Sequence, residues 1–245
     1  MTVMHCDPDK IRQEARRGRA SLNNRTNRSE RLVRAAFDDG WDIEEEIGPA
    51  RTEVREERIG KVITRNTSPD LSFDRSINPY RGCEHGCIYC FARPSHAYLG
   101  HSPGLDFESK LIARPGAAEA LERELRAPSY VPQVIAIGTN TDAYQPVEKD
   151  RRIMRQILGV LSAHDHPVAI VTKGTLIERD IDILGPMAER GLVRVGISVT
   201  TLDPHVSRKM EPRVPAPARR LRAIERLSAA GIPVRVMVSP VVPAL

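Results

Sequence analysis

From residue 76 onward, five short runs alternate with stretches of helical period, and this alternation constrains the fold more than any other feature. The runs are 76–82, 134–138, 168–173, 193–201 and 234–239. All but the first are rich in β-branched residues and short enough for strands. Between them, 117–125 is rich in Ala, Glu, Leu and Arg, and in 147–163 the residues Ile153, Ile157, Leu158 and Leu161 share one face. Segment 178–190 ends at Gly191, a helix stop, and Leu221, Ile224 and Leu227 form a stripe that ends before Gly231. Such alternation implies an α/β fold with a parallel sheet and helices packed outside it.

The strands also alternate along their length. Val193, Val195, Ile197 and Val199 alternate with Arg194, Gly196, Ser198 and Thr200; Val234, Val236 and Val238 alternate with Arg235, Met237 and Ser239. The apolar set is expected to meet the helices. The polar set then faces the interior of a curved sheet that holds a polar ligand, a partial parallel (β/α) barrel. An ordinary half-exposed sheet would alternate in the same way.

Residues 1–65 read as a charged, mostly irregular and flexible extension, and 66–245 as the core. Arg16, Arg17, Arg19, Arg25, Arg28 and Arg31 are followed by Asp38, Asp39, Asp42, Glu44, Glu45 and Glu46, and such charge blocks stay solvated. Trp41 and Ile43 are candidates to dock this segment loosely. The formal charge of +5 permits nucleic acid as a partner of a basic arm without indicating it. No apolar stretch reaches the roughly 18 residues of a membrane span, and Met1–Lys10 lacks the apolar core of a signal peptide. A cytoplasmic location with no membrane partner is the expectation.

Three of the 4 cysteines fall in Cys83-Glu-His-Gly-Cys87-Ile-Tyr-Cys90. In a reducing compartment such clustering indicates metal rather than disulfides. Three thiolates leave one coordination position of a metal centre unfilled. Zinc sites prefer paired C-x2-C units, with Cys6 or His85 as conceivable fourth ligands here, and ferredoxin runs are spaced differently. Gly82 and Gly86 suit a loop wrapped tightly on a bulky group. Tyr89 sits where an aromatic ring can cover its edge.

With C-x3-C-x2-C and an aromatic residue before the third cysteine, the sequence resembles the radical S-adenosylmethionine (SAM) superfamily. The blocks 68–74, 78–83, 92–96, 138–146 and 171–173 resemble, more narrowly, its spore-photoproduct-lyase-related, DNA repair photolyase-like bacterial members, from about residue 65 to the end. The resemblance implies a [4Fe–4S] cluster on Cys83, Cys87 and Cys90 with SAM on the open iron. It further implies reductive cleavage of SAM to a 5′-deoxyadenosyl radical, hydrogen abstraction from a substrate, and a flavodoxin- or ferredoxin-like electron donor. Carried over by position, Lys173 contacts the SAM carboxylate, Ser198 is a polar SAM contact, Asn140 and Asp142 lie near the SAM amino group and ribose, and Tyr89 lies at the cluster. Arg93, His96, Tyr98 and His101 are candidates for the substrate mouth. The alternative is a non-enzymatic zinc-binding interaction module with a basic arm.

Two departures stand out. The lyases carry a hydrogen-donor cysteine after the second strand, whereas Gly138-Thr-Asn-Thr-Asp142 has none. The superfamily core commonly has six strand–helix units, and only five strands are visible, so a sixth strand is expected to be absent.

Overall fold

The structure, a computed structural model, describes residues 18–27, 29–30 and 50–243. In chain order, β1 is Glu53–Glu56, β2 Thr64–Arg65, β3 Arg75–Ile77, β4 Tyr80–Arg81, α1 Leu105–Ser109, β5 Lys110–Ala113 and α2 Ala117–Leu125. There follow β6 Ile135–Ile137, α3 Glu148–Arg151, α4 Ile153–Ala163, β7 Val168–Thr172, α5 Ile181–Glu189, β8 Val193–Ser198, α6 Pro204–Met210, α7 Pro217–Ala229 and β9 Val234–Met237.

The main sheet has the order β2-β3-β6-β7-β8-β9. Strands β3, β6, β7, β8 and β9 are parallel, and β2 is antiparallel to β3. These five parallel strands are the five expected from the sequence. The register aligns Ile77, Ile137, Ile170 and Val195 across the sheet, with Ile135, Val168 and Val193 forming a second row. Both rows are buried against Leu121, Ile153, Ile157, Leu161, Leu184, Met187 and Leu227. Each such side chain contributes about 1.5–3 kcal/mol on burial, so this face anchors the fold.

The run 76–82 is not one strand. Pro79 offers no N–H and restricts Asn78, so the chain turns there. Then β3 joins the main sheet, while β4 joins a second sheet of order β1-β5-β4. Strand β5 follows α1 without a turn residue and was not foreseen. Helix 147–163 is broken at Arg152, whose φ of 52° separates α3 from α4. A 3-10 turn, Leu176–Asp180, precedes α5. Helix α6 was also unforeseen, although Asp203 caps it by accepting hydrogen bonds from the N–H groups of His205 (2.7 Å) and Val206 (3.1 Å), ahead of Pro204 at its first turn.

Val236 and Val238 correct another expectation. They are 48% and 59% exposed, whereas Val234 packs on the core.

For residues 18–27 the expectation of a solvated arm does not hold. The Glu108 carboxylate, fully buried, accepts from the N–H groups of Ala20 and Ser21, both at 3.0 Å. Arg19 is buried too and donates to the Ala50 carbonyl at 2.9 Å and to Thr52 at 2.8 Å. An arginine this buried is retained only where acceptors surround it. Strands β1 and β2 likewise lie within 1–65 and pair with core strands. Cys6, Trp41, Ile43 and the acidic block 38–46 lie outside the described residues. Among the described residues no helix is long and apolar enough to cross a membrane.

Candidate iron–sulfur and S-adenosylmethionine site

The three cysteines occupy the loop after β4, at the carboxyl ends of the parallel strands, where α/β sheets place their ligands. Cys83 and Cys87 are buried and Cys90 is partly exposed. The loop is fixed from several sides. The Cys83 N–H donates to the Phe107 carbonyl at 2.9 Å, the Ile88 N–H to the Met210 carbonyl at 3.0 Å, and the Cys90 N–H to the Cys87 carbonyl at 3.3 Å. Gln145 braces its start, accepting from the Glu84 N–H at 2.9 Å and donating to the Gly82 carbonyl at 3.1 Å. Gly86 has φ +64°, and a Cβ there would stand 2.9 Å from the Glu108 carboxylate. Only glycine lets the loop wind this tightly between two cysteines.

The donor set fits a cationic group. Burial pushes the Cys87 thiol up to about 12, opposed by the Lys173 ammonium. Burial also raises Cys83, with Asp142 and Cys87 adding to the shift. Thiolates in this setting are disfavoured alone and favoured when iron supplies compensating positive charge. Among the described residues no three His, Cys, Asp or Glu side chains converge as ligands of a single metal ion. His85, the conceivable fourth zinc ligand, faces Asp142 instead, with Nδ1 3.3 Å from Oδ2.

The remaining candidates come from the ends of successive strands. Asp142 follows β6, and its carboxylate is committed to the protein. Oδ1 accepts from the Tyr144 N–H (2.9 Å) and the Thr172 hydroxyl (2.6 Å), and Oδ2 accepts from the Lys173 N–H (2.7 Å). Burial would raise this carboxyl, but the His85 ring and these hydrogen bonds hold it well below the usual carboxylate range. Lys173 follows β7. Its backbone is fixed by Asp142, while its Nζ lies 5.7 Å from the centre of the Tyr89 ring. Ser198 ends β8 and is buried, its carbonyl accepting from Arg220 at 2.8 Å. Asn140 is held through its N–H, which donates to Asn78 Oδ1 at 3.2 Å. Thus Asp142, Lys173 and Tyr89 are brought to the cysteine loop directly, and Ser198 through its neighbours.

The candidates for the substrate mouth divide. Arg93 points inward, donating to Glu108 at 2.6 Å and to the Cys87 carbonyl at 3.0 Å, which makes it a brace for the loop. His96 is fully buried against Phe107, its Nε2 3.0 Å from the Lys110 carbonyl. Tyr98 is exposed.

Reasoning from sequence missed Glu211 and Arg220, and placed Thr200 only as a member of the polar row of the fourth strand. The Tyr89 phenol donates to Glu211, as does the Thr200 hydroxyl at 2.7 Å, and Arg220 pairs with the same carboxylate at 2.8 Å. The available signal was an acidic residue set between Met210 and Pro212, which reads as ordinary loop.

A family model described as the Radical SAM superfamily matches residues 77–244. An uncharacterised protein of Mycobacterium tuberculosis is 43% identical over 175 residues, covering 71% of this chain and 52% of that protein. An uncharacterised protein of Methanocaldococcus jannaschii is 25% identical over 169 residues, 69% of this chain and 61% of that protein. The chain therefore spans about half the length of its mycobacterial relative. Among solved structures, a spore photoproduct lyase complexed with dinucleoside spore photoproduct has a TM-score of 0.58 at 16% identity, over 78% of this chain and 52% of that one. A doubly substituted form of that lyase with bound AdoMet and the dinucleoside has a TM-score of 0.56 at 17% identity, over 76% and 50%. At these identities the structural matches establish a shared fold. The family match spans all three cysteines and the carboxyl ends of the five parallel strands: the chain belongs to the radical SAM superfamily.

Proposed function

We propose that this chain is the catalytic core of a radical SAM enzyme, with Cys83, Cys87 and Cys90 holding a [4Fe–4S] cluster whose open iron takes SAM. When bound, the cluster supplies the electron that splits SAM into methionine and a 5′-deoxyadenosyl radical, which removes a hydrogen atom from the substrate. The electron comes from a reducing protein of the flavodoxin or ferredoxin class. One observation carries the reading: three successive parallel strands deliver Asp142, Lys173 and Ser198 to the end of the sheet that bears the cysteine loop.

The side chains divide the remaining work. Lys173, anchored by its backbone and with its ammonium over the Tyr89 ring, receives the SAM carboxylate in a charge-assisted contact. Tyr89 covers the cluster edge beside it. Asn140 and Ser198 border the SAM pocket. Asp142 holds the Lys173 backbone and His85 in place, acting on the cofactor through them.

The substrate class we favour is nucleic acid. One observation supports it: the fold shared with a lyase complexed with a dinucleoside photoproduct. The lyase's own reaction is left out of the proposal, because segment 138–142 carries no thiol.

Anaerobic reconstitution with iron and sulfide, followed by reduction in the presence of SAM, tests the reading. Brown protein that releases methionine and 5′-deoxyadenosine is expected. Colourless protein with tightly held zinc and no SAM cleavage would favour a zinc-binding module instead.

A further inference from the structure

The segment joining α6 to α7 does more than connect them. Its backbone runs against the cysteine loop on both sides of Cys87. The Ile88 N–H donates to the Met210 carbonyl at 3.0 Å, and the Arg213 N–H donates to the His85 carbonyl at 3.2 Å. Between these two bonds lies Glu211, 1% exposed. One of its oxygens accepts from both the Tyr89 phenol and the Thr200 hydroxyl. The other faces Arg220 at 2.8 Å, in a pair with no solvent exposure on either side chain. Arg220 in turn donates to the Ser198 carbonyl at 2.8 Å and to the Ser207 hydroxyl at 2.9 Å.

A single carboxylate thereby touches Tyr89, just before Cys90, and Thr200, two positions beyond Ser198. Its counter-ion holds the Ser198 backbone itself. A buried ion pair is weak evidence for stability, because well-packed apolar residues of similar volume often do as well or better. What an apolar pair cannot do is accept two hydroxyl protons and fix their mutual distance.

We infer that Glu211 is a positioning residue for the SAM site: through Tyr89 and Thr200 it sets the distance between the cysteine loop and the carboxyl end of β8, while Arg220 balances its charge. The inference rests on the function proposed above. Without the carboxylate the three thiols would still hold iron, but the cysteine loop and Ser198 would no longer keep a fixed separation, and a SAM molecule held by both would lose affinity.

The test compares the parent with Tyr89→Phe and with the double variant Glu211→Leu/Arg220→Met, which removes the shared acceptor. Glu211→Gln alone is unsuitable, since it strands a buried guanidinium and lowers stability for that reason. Iron content, thermal midpoint and a SAM titration followed by electron paramagnetic resonance of the reduced cluster are measured on each. Expected is parental iron content in both variants, with the SAM concentration for half-conversion raised about tenfold, the scale of one charge-assisted hydrogen bond; the double variant also melts lower, because the Ser198 carbonyl and the Ser207 hydroxyl lose their Arg220 donor. A role confined to folding would move the thermal midpoint and leave the SAM titration in place. Parental SAM titrations in both variants overturn the inference. A parent that binds no iron overturns the proposed function, and this inference with it.

Discussion

Asp142→Asn separates two roles for a residue that the sequence places at the SAM pocket. The substitution keeps shape and volume, so no cavity forms. It changes the hydrogen-bonding inventory. Asp142 accepts three hydrogen bonds, from the Tyr144 N–H at 2.9 Å, the Thr172 hydroxyl at 2.6 Å and the Lys173 N–H at 2.7 Å, and its Oδ2 lies 3.3 Å from His85 Nδ1. An amide turns one end into a donor, which then faces either the Lys173 or the Tyr144 N–H and leaves that group without an acceptor. The surviving bonds lose their charge assistance. One orphaned buried N–H and the loss of charge on the others together cost about 3 kcal/mol. For a domain of this size that corresponds to a melting midpoint lower by about 6–12 °C. The assay is thermal unfolding of reconstituted, SAM-free protein followed by circular dichroism. An unchanged midpoint with SAM binding abolished would refute the reasoning, because Asp142 would then act on SAM itself rather than through Lys173 and His85.

Lys173→Met should leave the melting midpoint unchanged, since the backbone N–H that Asp142 holds is retained, and should weaken SAM binding about tenfold by isothermal titration. His166 is buried with Nδ1 3.0 Å from the Pro167 carbonyl and Nε2 2.7 Å from the Tyr130 hydroxyl, and burial, aided by Arg75, holds its pKa below the ordinary imidazole value. Its contribution is therefore present above the unfolded value of about 6.5 and lost as pH falls through the lower folded value. Denaturant titrations should show less acid sensitivity between pH 7 and pH 5, an interval of about the imidazole range, in His166→Gln than in the parent. Equal sensitivity would mean that another group controls it.

The core and the cysteine loop were legible because their signals are local. A β-branched run with apolar period 2 marks a strand and, for β8 though not for β9, its buried face, and three thiols within eight residues point to a metal loop whatever surrounds them. What sequence patterns miss is pairing across distance. Lys110–Ala113 pairs with Glu53–Glu56, and neither run is long or apolar enough to announce a strand. The docking of residues 18–27 depends on Glu108, almost ninety positions away, whose buried carboxylate looks like any other charge in the sequence. Glu211 and Arg220 escaped for the same reason: a buried ion pair is invisible until the fold brings its halves together. Asp142, a candidate from the sequence, lies beside the cysteine loop, while its hydrogen bonds to Tyr144, Thr172 and Lys173 could be read only from the structure.

The central claim is that Cys83, Cys87 and Cys90 hold a cluster whose open iron is a SAM site. Electron paramagnetic resonance of the reduced, reconstituted protein with and without SAM tests it most directly. The account predicts a reduced-cluster signal that changes shape and position on adding SAM, and that disappears in Cys87→Ala. A cluster signal indifferent to SAM, or no cluster signal from the parent protein, would contradict it.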